Sequence, residues 1–266
     1  MDTSKIRIAV IGGGNMGGAI VRGMAQGKLV DPGRITVSDI NETILAQLRK
    51  FDSRLNMTSS NTEAIVDADI IIIAVKPWLV ANIAEEISKK VDYSSQLIVS
   101  IAAGVDFDSL SFLFSDESAI FRVIPNTAIE VGQSVSVVAG CRVNSSQEEL
   151  ISTLFSELGK VFFVPESQLG AFTSLSSCGI AFAFRYIRAA MEGGVEMGIY
   201  PGIARDVILQ TLKGAVELLE ITGSHPEVEI DKVTTPGGIT IKGLNEMEAN
   251  GFTNSVIKGL KASHLK

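Results

Sequence analysis

The chain has 266 residues, enough for one large domain or two modest ones at roughly 150 residues each. Apolar residues make up 46% and charged residues 20%, so there is ample core material and no compositional case for disorder. A net charge of −7 argues against a nucleic-acid surface; two cysteines (Cys141, Cys178) with no C-x-x-C pair and two histidines (His225, His264) argue against a disulfide framework, a metal site or a histidine triad.

The N-terminus passes from Met-Asp-Thr-Ser-Lys straight into a strand-like run, with no apolar core of a secretory signal. The purest apolar stretch, residues 70–75, is far too short to span a membrane. The expectation is a cytoplasmic chain without a membrane partner. Short Ile/Val-rich runs follow at residues 6–11, 35–38, 70–75, 97–100 and 120–124, of the kind buried on both faces of a parallel sheet. Between them the spacing predicts helices over 16–26, closed by Gly27, over 42–50 after Asn41 as N-cap, and over 78–90. This alternation predicts an α/β fold: an open Rossmann-like sheet with helices on both faces, over residues 1–164.

Gly12-Gly13-Gly14-Asn15-Met16-Gly17 follows the first strand and opens a helix, satisfying G-x-G-x-x-G. Gly12 permits the tight turn, Gly14 lets backbone approach a pyrophosphate, and Gly17 packs the helix on the strand. Free amides at the helix start would then hold the phosphates. Asp39 ends the second strand, where a carboxylate bonds the adenosine ribose and repels a 2′-phosphate; read alone it favours NADH. The plain alternative is a solvated loop aspartate or a helix cap. Lys76-Pro77 and Ala102-Ala103-Gly104 follow the fourth and fifth runs, at the strand ends where open α/β sheets bind ligands.

Beyond Val164 the strand-like texture ends, and residues 165–266 predict an all-helical domain. Two long helices over 168–222 break near Tyr200-Pro201-Gly202. In the first, Arg185, Arg188, Glu192 and Glu196 share a stripe about 80° wide, and nearly everything else is apolar or small. A helix of that kind needs cover on almost every side, which a partner subunit supplies, or alternatively a self-sufficient bundle. Val233-Thr234-Thr235-Pro236-Gly237-Gly238-Ile239-Thr240 then interrupts the helices ahead of an amphipathic helix over 243–250. Proline and paired glycines before a helix expose successive amides, and no arginine clamp accompanies them, so a small carboxylate suits the loop better than a phosphate.

Along its full length the sequence resembles the pyrroline-5-carboxylate reductase family. The segments IGGGNMGGAI, AVKPW, SIAAGV, RVIPNTA, LSSCGIAFAF and VTTPGGITIKGLNEME stand in the family's order and spacing. The resemblance implies reduction of L-1-pyrroline-5-carboxylate to L-proline by hydride from NADPH or NADH. It implies a C-terminal dimerisation domain that interlocks with a second subunit, an active site between the two domains, and in many members a decamer of five dimers. Carried over residue by residue, the dinucleotide meets Ile11, Gly12, Gly13, Gly14, Asn15, Met16, Asp39, Asn61, Ala74, Val75, Lys76, Pro77, Ile101, Ala102 and Ala103. The imino acid meets Glu166, Thr235, Gly237, Gly238, Ile239 and Thr240, with the Thr240 hydroxyl on the ring nitrogen as the catalytic contact. Three segments depart from the family pattern: Ser177-Cys178-Gly179-Ile180-Ala181 for GSGPA, Ala128 for a proline, and Glu229 for an apolar residue. Asp39 stands where NADPH-preferring relatives often carry serine, which leaves coenzyme choice open. A hydroxyacid dehydrogenase of the same layout would carry a catalytic lysine on the first long helix of the second domain, and residues 174–199 contain none.

Overall fold

The computed structural model describes residues 3–264. They form two compact units that part between Ser177 and Cys178.

The first unit is built on eight strands: β1 (Ile8–Ile11), β2 (Ile35–Ser38), β3 (Asn56–Thr58), β4 (Ile70–Ile73), β5 (Leu97–Ser100), β6 (Ile120–Ile124), β7 (Ser134–Cys141) and β8 (Gly159–Phe163). They hydrogen-bond in the order β3-β2-β1-β4-β5-β6-β7-β8. The first six run parallel, β7 is antiparallel to β6, and β8 is parallel to β7. β1, β4, β5 and β6 are buried at every position, as unalternated apolar runs require when both faces are covered. Period-two alternation splits their side chains between two layers. Ile8, Val10, Ile70, Ile72 and Phe121 pack under α1 (Asn15–Gln26) and α2 (Glu42–Phe51). Ala9, Ile11, Ile71, Ile73 and Ile120 pack under α3 (Asn61–Ala64), α4 (Val80–Ile87) and α5 (Phe107–Leu113). α6 (Ser145–Ser156) joins the first layer through Ile151 and Phe155, and α7 (Leu169–Thr173) joins the second through Leu169.

The register fixes the functional edge. Ser38, Ile11, Ile73 and Ser100 stand in one row as the last residues of β2, β1, β4 and β5. The chain leaves β1 for α1 on one face and β4 for α4 on the other, so the crevice between β1 and β4 is the switch point of the sheet.

The second unit holds α8 (Gly179–Glu196), α9 (Pro201–Thr222), α10 (Pro226–Val233), α11 (Ile239–Ala249) and α12 (Phe252–Ala262). α8 and α9 pack where Gly194 meets Ala204, and Tyr186 of α8 sets its ring edge-on to Phe252 of α12 at 6.4 Å. Among the described residues of this unit only Gly194 and Ala204 are buried. Phe184, Tyr200 and Ile221 are 59%, 78% and 77% exposed. The self-sufficient bundle is therefore not what forms. The apolar faces of α8 and α9 stay open within one chain. α11 also begins four residues earlier than the spacing predicted, at Ile239, because Gly237 and Gly238 complete the turn before it.

Candidate functional site

All the dinucleotide residues expected in the first unit emerge from one edge of the sheet. Ile11 is the last residue of β1, Asp39 follows β2, Ala74 to Pro77 follow β4, and Ile101 to Ala103 follow β5. Four strands in register thus deliver their turns side by side.

The glycine loop is shaped by what a Cβ would hit. Gly12 has φ +99°, and a side chain there would lie 2.7 Å from the Ala74 carbonyl oxygen. At Gly17 it would strike the Gly12 carbonyl and come within 2.9 Å of the Ala74 Cβ. At Gly13 it would stand 2.9 Å from Ile44 of α2. Gly14 is different: nothing lies within 4 Å of its would-be Cβ, which makes it the open wall of the cradle. Gly14 is also the N-cap of α1 and offers no side chain, so the first-turn amides of Asn15, Met16 and Gly17 are left for a ligand. These features fit a dinucleotide pyrophosphate.

Asp39 braces this loop. Its Oδ2 accepts from the Gly13 amide at 2.8 Å and its Oδ1 from the Asn41 amide at 2.8 Å. The Gly12 amide donates to the Ser38 carbonyl at 2.8 Å, so β2 holds the loop at two points. Asn61 opens α3 behind Ser60 as N-cap; its amide side chain accepts from the Ser38 hydroxyl (2.7 Å) and donates to Glu86 (2.8 Å). Lys76 is exposed at the head of the short turn Pro77–Leu79, and Ala102 is buried while Ala103 is exposed.

Glu166 lies in a single turn, Glu166–Gln168, just after β8. Its Oε1 accepts from Arg122 Nη1 at 2.6 Å and from the Phe107 amide at 2.7 Å, leaving Oε2 to accept another donor. The Arg122 side chain is only 9% exposed, sits in the row of Ser100, and stacks over the Phe107 ring at 5.9 Å. Its buried Nε has no hydrogen-bond partner. Sequence reasoning passed over Arg122; the signal was an arginine inside the otherwise apolar strand IFRVI. A five-residue π turn, Ser174–Cys178, precedes α8, and the Ser177 hydroxyl donates to the Pro125 carbonyl at 2.9 Å.

In the second unit, Thr235-Pro236-Gly237-Gly238 is a type II turn: proline at the second position, Gly237 at φ +71°, and the Gly238 amide donating to the Thr235 carbonyl at 2.9 Å. A Cβ on Gly238 would lie 2.6 Å from Thr235 Oγ1. Gly238 then caps α11 without a side chain, so the amides of Ile239, Thr240 and Ile241 open the helix unpaired, and the Thr240 hydroxyl sits on this first turn. Ile239 is 86% exposed. Glu229, the departure in α10, is bonded by Lys232 Nζ at 2.7 Å; that bond, and then one from Ser224, hold its carboxyl below the usual range. Among the described residues no three His, Cys, Asp or Glu side chains gather as metal ligands, and no helix is long and apolar enough to cross a membrane.

Comparison with known proteins bears on both units. Residues 166–266 match a family described as pyrroline-5-carboxylate reductase dimerisation, and residues 7–104 match one described as NADP oxidoreductase coenzyme F420-dependent. The chain is 34% identical to pyrroline-5-carboxylate reductase 1 of Dictyostelium discoideum over 96% of its own length, but it spans only 48% of that relative. It is 32% identical to pyrroline-5-carboxylate reductase of Arabidopsis thaliana, covering 99% of this chain and 95% of the relative. The crystal structure of a Plasmodium falciparum pyrroline carboxylate reductase with NADP bound superposes with a TM-score of 0.90 at 27% identity, covering 98% of this chain and 96% of that one.

Proposed function

The chain belongs to the pyrroline-5-carboxylate reductase family, and from that membership we propose that it reduces L-1-pyrroline-5-carboxylate to L-proline with NADPH or NADH, the last step of proline biosynthesis. The observation that carries the reading is the pair of helix starts, α1 and α11, each opened by glycines and left without a side-chain cap.

The first unit supplies the dinucleotide cradle. Gly12 to Gly14 and the amides opening α1 hold the pyrophosphate, Asp39 faces the adenosine ribose, and the small residues Ala102 and Ala103 leave room for a flat ring beside the backbone. When bound, the reduced nicotinamide supplies the hydride that adds to C5 of the ring C=N. The second unit supplies the substrate loop. Amides opening α11 hold the carboxylate, and the Thr240 hydroxyl accepts the N–H of the protonated imine. Glu166 contributes its remaining oxygen to the substrate. A protonated cyclic imine is already a strong hydride acceptor, so these residues need only bind, orient and exclude water. Orientation alone can lower such a barrier by several kcal/mol, roughly 7–11 at the limit. No histidine acid is required, which agrees with a site built from glycines, threonines and backbone.

The second unit self-associates as the dimerisation family it matches. The finer reading is an interlocked homodimer, with decamers as a further step, in the cytoplasm. Two free cysteines, neither paired, agree with a reducing compartment.

Initial rates with L-1-pyrroline-5-carboxylate and NADH or NADPH, with proline identified as product, test the proposal. Coenzyme oxidation that yields no proline would refute it.

A further inference from the structure

We propose that Asp39 makes this chain prefer NADH to NADPH, an inference that rests on the reductase reading above. The two carboxylate oxygens are pinned by backbone amides, Oδ2 by Gly13 and Oδ1 by Asn41, each at 2.8 Å. The charge therefore cannot swing away from the tip of β2 without breaking the bond that braces the glycine loop. Each oxygen still has a lone pair for a ribose hydroxyl. A 2′-phosphate in place of that hydroxyl would bring a second anion against a fixed one.

The surroundings offer no compensation. β2 and β3 pair Ser38 with Thr58, so the turns after both strands lie together. Residues 39–43 and 58–63 contain three carboxylates, Asp39, Glu42 and Glu63, and neither lysine nor arginine. Glu63 accepts from the Thr58 hydroxyl at 2.7 Å, which holds it on that turn. On α1, Arg22 gives Nε and Nη2 to Glu130 at 2.7 and 2.6 Å, a bidentate pair already formed. Ile40, 92% exposed on the same turn as Asp39, presents an apolar face suited to an adenine ring common to both coenzymes. Only the phosphate separates them.

Titration of the full-length protein with NADH and with NADPH, followed by reduced-nicotinamide fluorescence, reads the preference without turnover. NADH should bind about tenfold more tightly or better. Asp39→Asn keeps an acceptor at the same reach and removes the charge; Asp39→Ser removes the charge and shortens the side chain that braces the loop. In each variant the NADH-to-NADPH ratio should fall several-fold toward unity, whatever happens to affinity as a whole. Equal or tighter NADPH binding by the native chain would overturn the inference. So would variants that lose both coenzymes by the same factor, since that marks a loop brace and nothing more. Preserved NADH preference with no proline formed from either coenzyme would leave this inference standing and remove the reaction reading.

Discussion

Gly12 and Gly14 occupy the same loop for different reasons, and substitution should separate them. Gly12→Ala places a Cβ 2.7 Å from a backbone oxygen at φ +99°, so it should lower stability by about 1–3 kcal/mol and dinucleotide affinity with it. Gly14→Ala meets nothing within 4 Å at φ −62°, so its melting temperature should barely change while dinucleotide affinity drops about tenfold or more. Thermal melts paired with nicotinamide titrations check both; a Gly14→Ala protein that binds normally would show the open wall is not where phosphate sits. Thr240→Ala removes one bond to the ring nitrogen and should reduce kcat/KM by about fivefold, roughly 1 kcal/mol. Unaltered steady-state kinetics would remove Thr240 from the chemistry.

At the scale of elements, the pair Arg122–Glu166 ties β6 to the segment after β8 and to the start of α5. Glu166→Ala leaves a buried guanidinium without its carboxylate and should cost about 2–3 kcal/mol in urea unfolding, less than a fully buried pair because Glu166 is one-third exposed. Glu166→Gln keeps an acceptor and should recover part of that; equal stability of all three proteins would mean the bridge holds nothing. This bridge was illegible in the sequence because its partners are 44 positions apart: Arg122 stands out in its apolar run, but nothing local names Glu166 as its partner. The elements read well where local physics decides them. The apolar runs of β1, β4, β5 and β6, the glycine-opened α1 and the Asn41-capped α2 all stand where the pattern put them. β3 escaped because three residues, Asn-Met-Thr, carry no strand pattern. β7 escaped because its serines alternate with valines yet are buried: Ser134 and Ser136 are shut away from water. The antiparallel sense of β7 depends on pairing with β6, which no window of sequence contains. The start of α11 was misplaced by four residues because Gly238, which reads as a breaker, serves as its cap.

For the molecule as a whole, the two units differ in self-sufficiency. The first encloses two continuous apolar layers, whereas the second buries two residues among those described. Stability of the second unit should therefore depend on concentration, with the melting temperature rising on concentrating the protein. Phe184→Asp on the open face of α8 should shift the protein toward monomer in sedimentation and abolish that dependence; a monomeric native protein with concentration-independent melting would contradict the expected cover.

The central claim is a hydride delivered from C4 of a reduced nicotinamide to C5 of a cyclic imino acid. Supplying coenzyme deuterated at C4 on the transferred face, with L-1-pyrroline-5-carboxylate, and reading the product by NMR tests it most directly. Deuterium at C5 of proline is the predicted result. Proline carrying no label, or no proline at all while coenzyme is consumed, would contradict the account.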